Sequence, residues 1–182
     1  MLRLGILLSC LIIYGLLPTA GSAKSLHSLK NGINRIDLNA DARKDIIVRA
    51  KRENYNAHSY HILTFYSRNG DDRLTVIPVE KPDDSDDGYI DMLTTHHGAD
   101  CTIRDFALIN GDFEGAPRLI RAERPLDNGY AAKAQVRFTI YALVRNKQNV
   151  AGTPDRYFAV KSQEKTDKHY CDVGKALGDY VE

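Results

Sequence analysis

Residues 134–145 carry apolar side chains at every second position, and a period of two is the spacing of side chains along a β-strand. The apolar face of this segment consists of Val136, Phe138, Ile140, Ala142 and Val144. Shorter strand-like segments, separated by turns rich in Gly, Asn and Asp, lie at 31–37, 45–50, 59–67, 74–79, 102–109, 119–124 and 156–162. Many short strands joined by such turns predict a mainly β fold, either an antiparallel β-sandwich or a partly closed barrel.

The end of the chain departs from this pattern. Val173, Leu177 and Tyr180 follow one another at intervals of four and three residues, as on one face of a helix. We therefore expect a short C-terminal helix after the last strand.

The first 23 residues have the three parts of a secretory signal peptide: a basic start at Arg3, an almost wholly apolar segment at 4–17, and small residues up to Ala23. We expect cleavage after Ala23, which leaves residues 24–182 as one exported domain. A second interpretation is a bacterial lipoprotein cleavage box at 7–10, ending in Cys10, although few apolar residues precede it. The apolar segment is short for a stable membrane span, and no stop-transfer pattern follows it.

The charge balance argues against a nucleic-acid partner. The full chain has 25 Lys and Arg against 24 Asp and Glu, and loss of Arg3 with the signal peptide makes the two totals equal. A chain without a basic excess has little with which to neutralise phosphates.

Two cysteines, Cys101 and Cys171, remain after the signal peptide. An even pair in an exported chain predicts one disulfide, which would close a long loop. The alternative is a catalytic or metal-bound thiol.

A polar loop at 37–45 places oxygen-bearing side chains at positions 1, 3, 5 and 9 of a calcium-loop pattern, namely Asp37, Asn39, Asp41 and Asp45. An EF-hand is excluded because the residue at the twelfth position of this loop is Val48, whereas an EF-hand has Glu there. The layout is closer to short strand-loop-strand calcium motifs, which carry glycines where this chain has Ala40 and Ala42. The alternative to a calcium site is an Asx-rich turn whose carboxylates accept backbone N–H bonds.

A second polar segment follows the strand at 45–50. Its candidate binding side chains are Arg52, Glu53, Asn54, Asn56 and His58. This segment is interpreted as a recognition loop for a small polar ligand or a protein partner. The alternative is that its amides and Glu53 satisfy neighbouring backbone groups.

Patterns typical of hydrolases are missing from the sequence. Neither His-x-His-x-Asp nor His-Glu-x-x-His occurs, so His58, His61, His96 and His97 are interpreted as structural. Ser162 and Lys165 match Ser-x-x-Lys, but the partner motifs Ser-Asp-Asn and Lys-Thr-Gly are absent. The sequence predicts no enzymatic activity and no catalytic residue.

Several stretches together resemble the carbapenem intrinsic-resistance (self-resistance) proteins of bacteria that make a simple carbapenem. They are residues 29–33 with the acidic loop, 52–58 leading into 64–66, 98–101, 139–146 and 170–173. Members of that family often carry glycines in the acidic loop, so Ala40 and Ala42 depart from its pattern.

The resemblance implies a periplasmic immunity protein that protects its host without being a β-lactamase. Protection without hydrolysis leaves binding: of the β-lactam itself, of a cell-wall enzyme that is shielded, or of a second periplasmic resistance protein. Calcium is the one cofactor that the sequence suggests. Two other functions remain open at this point. The first is a calcium-stabilised secreted β module of unrelated binding function, and the second is an unrecognised hydrolase that uses His96, His97 and Asp100, or Ser162 and Lys165.

Overall fold

Two β-sheets and one C-terminal helix form the fold. The computed structural model describes residues 24–56, 58–68, 73–82, 88–98, 100–110 and 115–182. The predicted signal peptide at 1–23 lies outside the described residues.

The larger sheet has eight strands. They are β1 (Ser25–Leu26), β6 (Val79–Glu80), β7 (Tyr89–Ile90), β9 (His96–Gly98), β10 (Cys101–Asn110), β11 (Arg118–Glu123), β12 (Ala134–Arg145) and β13 (Arg156–Tyr170). The strand order is β1-β10-β11-β12-β13-β6-β7, and β9 pairs with β10. All of these pairs are antiparallel except that of β13 with β6, where Phe158 lies opposite Val79 in parallel register. Apart from that one parallel pair, the sheet has the antiparallel arrangement expected from the sequence.

The smaller sheet has five strands and lies across the larger one. They are β2 (Gly32–Ile36), β3 (Asp45–Arg52), β4 (Tyr60–Arg68), β5 (Leu74–Val76) and β8 (Leu93–Thr94). The order is β2-β3-β4-β5, and β8 pairs with β4.

A hydrophobic core lies between the two sheets. Ile47, Leu63 and Phe65 project into it from the smaller sheet, and Leu108 and Phe158 from the larger one. The rings of Phe65 and Phe158 meet edge to face across the interface, with centroids 5.0 Å apart. The mainly β, two-sheet architecture confirms the fold class predicted from the sequence.

The opposite face of the larger sheet is covered by helix α1 (Val173–Val181). Ala176 and Leu177 of the helix pack on Ile109, Ile120 and other residues of β10, β11 and β12. Asp172 caps the helix, since its Oδ1 accepts the backbone N–H of Gly174 at 2.7 Å. The predicted C-terminal helix is confirmed, and the larger sheet is covered on both faces in the region of β10, β11 and β12.

The segment expected as a single strand at 74–79 is divided into β5 and β6. Pro78 stands between them and has no backbone N–H with which to continue a ladder. Its carbonyl oxygen instead accepts the backbone N–H of Phe158 at 2.9 Å, which anchors the start of β6 to strand β13 of the larger sheet. The described part of the chain contains no helix with the length and hydropathy needed to cross a membrane.

Candidate functional site

A cleft of about 350 Å³ opens where the chain passes from the smaller sheet to the larger one, between β8 and β9. We call it the histidine cleft. Its lining residues are His58, Tyr60, Thr95, His96, His97, Gly98 and Tyr130. A shallower depression of about 430 Å³ continues from it and adds His61, Asp100, Cys101 and Thr102, among others.

Thr95 is the residue at which the two sheets are joined. Its backbone N–H donates to the carbonyl oxygen of His61 at 3.0 Å, which extends the β8–β4 pairing. Its hydroxyl accepts the backbone N–H of His61 at 2.9 Å. Thr95 is only 4% exposed, so its contact with strand β4 is shielded from water.

The His97 ring lies between two threonine hydroxyls. Its Nε2 is 3.0 Å from Thr95 Oγ1, and its Nδ1 is 3.3 Å from Thr102 Oγ1. A hydroxyl can donate or accept, so both partners can serve either tautomer or the protonated ring. His97 is therefore held in one orientation at the floor of the cleft.

Tyr130 forms an aromatic wall. Its ring is edge-on to the His96 ring, with centroids 5.9 Å apart. It also lies directly over Gly98, where a Cβ would be 2.8 Å from Tyr130 Cε1 and closer still to Cδ1. The absence of a side chain at Gly98 lets the ring approach the strand.

The backbone at Tyr130 is held by a buried arginine. Arg124 is 2% exposed, and its guanidinium donates to the carbonyl oxygens of Cys171 (2.7 Å), Pro125 (3.2 Å), Gly129 (3.4 Å) and Tyr130. Burial lowers the pKa of this guanidinium. Arg124 therefore fixes the turn that carries the aromatic wall and ties it to the C-terminal cysteine.

The electrostatic environment of the cleft is positive. Burial lowers the pKa of the His61 imidazole, and Arg49 lowers it further. Burial likewise lowers the pKa of His96, with Arg104 adding to the effect and Glu123 opposing it. The imidazoles of His61 and His96 therefore take up a proton less readily than a free imidazole does.

The comparisons with known proteins agree with the resemblance seen in the sequence. A family model described as "Carbapenem resistance protein CarG-like" matches residues 29–179. The chain belongs to the CarG-like family of carbapenem resistance proteins. Family membership supports a role in carbapenem resistance, and it confirms the family expected from the sequence.

The fold agrees with that of a CarG protein. The crystal structure of CarG is similar with a TM-score of 0.73 and 22% sequence identity, covering 85% of this chain and 94% of that one. No curated protein matches the chain.

In this CarG-like chain, the predicted recognition loop contributes unequally to the cleft. His58 lines it directly, and Arg52 reaches it through Tyr60, whose hydroxyl accepts from Arg52 Nη1 at 2.7 Å. Asn54 Nδ2 donates to the carbonyl oxygen of His58 at 2.9 Å, and Asn56 Oδ1 accepts its backbone N–H at 2.8 Å. These two amides support the position of His58.

Glu53 is turned toward its own loop. Its carboxylate accepts the backbone N–H groups of Asn54 and Tyr55, both at 3.2 Å, and pairs with Lys51 at 2.7 Å. Its contacts match the alternative interpretation, in which the loop satisfies neighbouring backbone groups.

The acidic loop is built around Asp37. Its carboxylate accepts the backbone N–H groups of Asn39 and Asp41, both at 3.2 Å, and of Ala42 at 2.7 Å. Ala40 and Ala42 adopt positive φ angles of 59° and 64°. The short strand-loop-strand calcium motifs carry glycines at these two positions, because glycine adopts positive φ angles readily.

The other candidate ligands are also engaged. Asn39 Nδ2 donates to Asp41 Oδ2 at 3.0 Å, and Asp45 Oδ2 accepts the backbone N–H of Leu38 at 3.2 Å. Within the described ranges, no group of three or more His, Cys, Asp or Glu side chains is arranged to hold a metal ion. The contacts are those of an Asx-rich turn, and calcium binding stays a prediction.

The predicted disulfide is confirmed. Cys101 and Cys171 are bonded, with their Cα atoms 5.7 Å apart and a separation of 70 positions in sequence. The bond links the start of β10, beside the cleft, to the residue before the helix cap.

The structure brings together side chains that the sequence did not connect. His58 and His61 both border the depression that includes His97. Thr95, Tyr130 and Arg124 carried no local signal. The two histidine pairs were the part of the site that the sequence could have indicated.

Proposed function

We propose that this protein gives carbapenem resistance in the periplasm by binding the drug in the histidine cleft without hydrolysing it. The histidine cleft is the observation that carries this proposal. Its volume of about 350 Å³ lies at the small end of the range for ligand pockets, roughly 300–1,000 Å³, and suits a small fused-ring molecule.

The lining supports such a ligand chemically. A carbapenem presents an apolar fused ring, a strained lactam carbonyl and a carboxylate. Tyr130 and Gly98 offer an apolar wall, and the imidazoles of His58 and His96 offer polar contacts on the same cleft. A mainly apolar pocket with a few directed polar groups is the usual form of a small-molecule site.

The chemistry of the Thr95 hydroxyl supports binding without hydrolysis. Of the two threonine hydroxyls that pair with His97, that of Thr95 lies 3.0 Å from the ring and belongs to a residue that lines the cleft. It is nearly inaccessible, at 4% exposure for the residue, and it already accepts a hydrogen bond from His61. A secondary alcohol held in this way is poorly placed to attack a lactam carbonyl.

The Ser-x-x-Lys match supports the same conclusion. Ser162 and Lys165 lie in strand β13, opposite Ile140 and Arg137 of β12. Side chains three positions apart on a regular strand project from opposite faces, so the two residues do not form the pair that the motif requires.

A periplasmic location is supported by the disulfide and by the signal-peptide pattern at 1–23. Disulfides persist in oxidising compartments, where they can stabilise exported domains.

The test has two parts. The full chain, expressed from its own start in a carbapenem-sensitive strain, should raise the drug concentration that the cells tolerate. Purified protein should bind the drug in calorimetry while the ultraviolet absorbance of the carbapenem stays unchanged for hours, with and without zinc. Unchanged tolerance with folded protein present would overturn the resistance role, and loss of drug absorbance would overturn binding without hydrolysis.

A second candidate function is contact with a protein, either a cell-wall enzyme that is shielded or a second periplasmic resistance protein. Tyr55 favours it, because this aromatic side chain is 95% exposed at the tip of the recognition loop. If this function holds, Tyr55→Ala lowers the tolerated drug concentration but leaves calorimetric drug affinity unchanged. Equal tolerance of the variant and the parent would remove this candidate.

A further inference from the structure

Three imidazoles around the cleft, in the part of the chain that the structure describes, have ring nitrogens that are not already used. The rings of His58, His61 and His96 make no hydrogen bond among the described residues, whereas both nitrogens of His97 are engaged by threonine hydroxyls. His58 and His96 face the same cleft, so two hydrogen-bond donors can be directed at one ligand group.

Arginines next to His96 leave a surplus of positive charge. Glu123 is the acidic neighbour, and its carboxylate is shared between Arg104, at 3.1 Å, and Arg121. Two guanidinium groups around one carboxylate give a net charge of plus one beside the cleft. An anion that enters the cleft is therefore stabilised before any imidazole takes up a proton.

We propose that the histidine cleft is a site for a small carboxylate anion, which His58 and His96 hold while the apolar part of the ligand rests on Tyr130. This inference rests on the proposed function, because it names the ligand group that fixes a carbapenem in the cleft. It makes the carboxylate, rather than the lactam ring, the feature that is recognised.

Proton uptake accompanies binding in this arrangement. Burial and Arg104 lower the pKa of His96 before binding, and a bound carboxylate favours its protonated form. The charged and titratable groups around His96 are Arg104, Glu123, His97 and His58, and those around the neighbouring His61 are Arg49, His97 and Lys51. Arg121 pairs with Glu123, and Asp100 borders the adjoining depression. Binding raises the pKa of an imidazole that contacts the carboxylate. At pH values between its pKa in the free protein and its pKa in the complex, affinity should rise about tenfold for each unit by which the pH falls.

The experiment compares a carbapenem with its neutral carboxylate methyl ester, both titrated into the purified chain by calorimetry at pH values from about 6 to about 8, the range in which imidazoles titrate. The acid should bind about 10- to 100-fold more tightly than the ester, as expected for a hydrogen bond to a charged group. Affinity for the acid should rise as the pH falls, and affinity for the ester should stay constant.

Two variants locate the effect. His58 lies on an exposed loop and His96 lies in strand β9. The variants His58→Gln and His96→Gln should each bind the acid severalfold more weakly than the parent and bind the ester equally well. His169→Gln, on the exposed end of β13, is the matched control and should bind like the parent. Circular dichroism melting curves verify that each variant is folded.

The outcomes separate the two proposals. Equal affinity for acid and ester, or affinity for the acid that does not change with pH, overturns the carboxylate site and leaves drug binding intact. Unchanged acid binding in both folded histidine variants also overturns it. A folded parent that binds neither compound overturns both the carboxylate site and the binding of the drug.

Discussion

Replacing Gly98 with alanine tests how closely the aromatic wall of the histidine cleft packs against strand β9. A Cβ at this position would overlap Tyr130 Cδ1 and lie 2.8 Å from Cε1 and 3.1 Å from Cγ. Carbon atoms in favourable contact are about 3.5–4.0 Å apart, so the ring must retreat by roughly 1 Å. It cannot retreat with its backbone, because Arg124 holds the Tyr130 carbonyl.

The magnitude follows from two opposing effects. Inserting a methyl group into a packed contact costs about 1–3 kcal/mol. Alanine also lowers the conformational entropy of the unfolded chain, which stabilises the folded state by about 0.4–1 kcal/mol. The net loss is about 1–2 kcal/mol, or a fall in melting temperature of about 2–8 °C for a chain of this size.

The assay is a double-mutant cycle in urea, read by circular dichroism. In a Tyr130→Ala background the cost of Gly98→Ala should disappear, since the overlapping ring is gone. Gly178→Ala, in helix α1 with no atom within 4 Å of the added Cβ, is the control and should stabilise the fold by about 0.5–1 kcal/mol. A Gly98→Ala variant as stable as the parent, or an equal cost in both backgrounds, would refute the reasoning.

Three further predictions concern stability. Replacing Cys101 and Cys171 together with serine should cost about 4 kcal/mol in urea unfolding, because the disulfide closes a loop of 70 residues, and a loss below about 1 kcal/mol would contradict this. Asp37→Ala should cost about 1–3 kcal/mol even in the presence of a chelator, since the carboxylate accepts three backbone N–H bonds; a loss seen only with calcium would show that the metal contact dominates. Burial raises the pKa of Asp105 above its ordinary value of 3.8. The folded protein therefore gains stability from protonated Asp105 at pH values below 3.8, and it loses this gain as the pH rises through the pKa of Asp105 in the folded state. Asp105→Asn should reduce this pH-dependent loss in urea unfolding measured from about pH 3 upward, and an unchanged pH profile would argue against it.

The strands with one apolar face and one polar face were predictable from the sequence. The alternating segment at 134–145 matches β12 (Ala134–Arg145), because one face packs on helix α1. The last strand was expected to end at 162 but continues to Tyr170. Its second half is mostly exposed and polar, so hydrophobic periodicity gives no signal there, and pairing with β12 holds it in place.

The candidate site was only partly predictable, because its members come from distant parts of the chain. Of the recognition loop predicted from the sequence, His58 lines the cleft and Arg52 reaches it through Tyr60. Thr95 meets His61, 34 positions earlier, and this pairing depends on the return of β8 to β4 within the smaller sheet. Nothing in the local sequence around Tyr130 indicates that its ring will lie over Gly98.

The path of the chain through strands β5 to β9 has a consequence for folding order. This segment leaves the smaller sheet after β5, joins the larger one at β6 and β7, returns at β8, and crosses again to β9. The meander from β2 to β4 and that from β10 to β13 each connect neighbours in sequence and can form early. The crossings join the two sheets, so we expect the cleft to be assembled last. On that expectation a partly folded chain lacks the cleft, and ligand binding would report the completely folded protein.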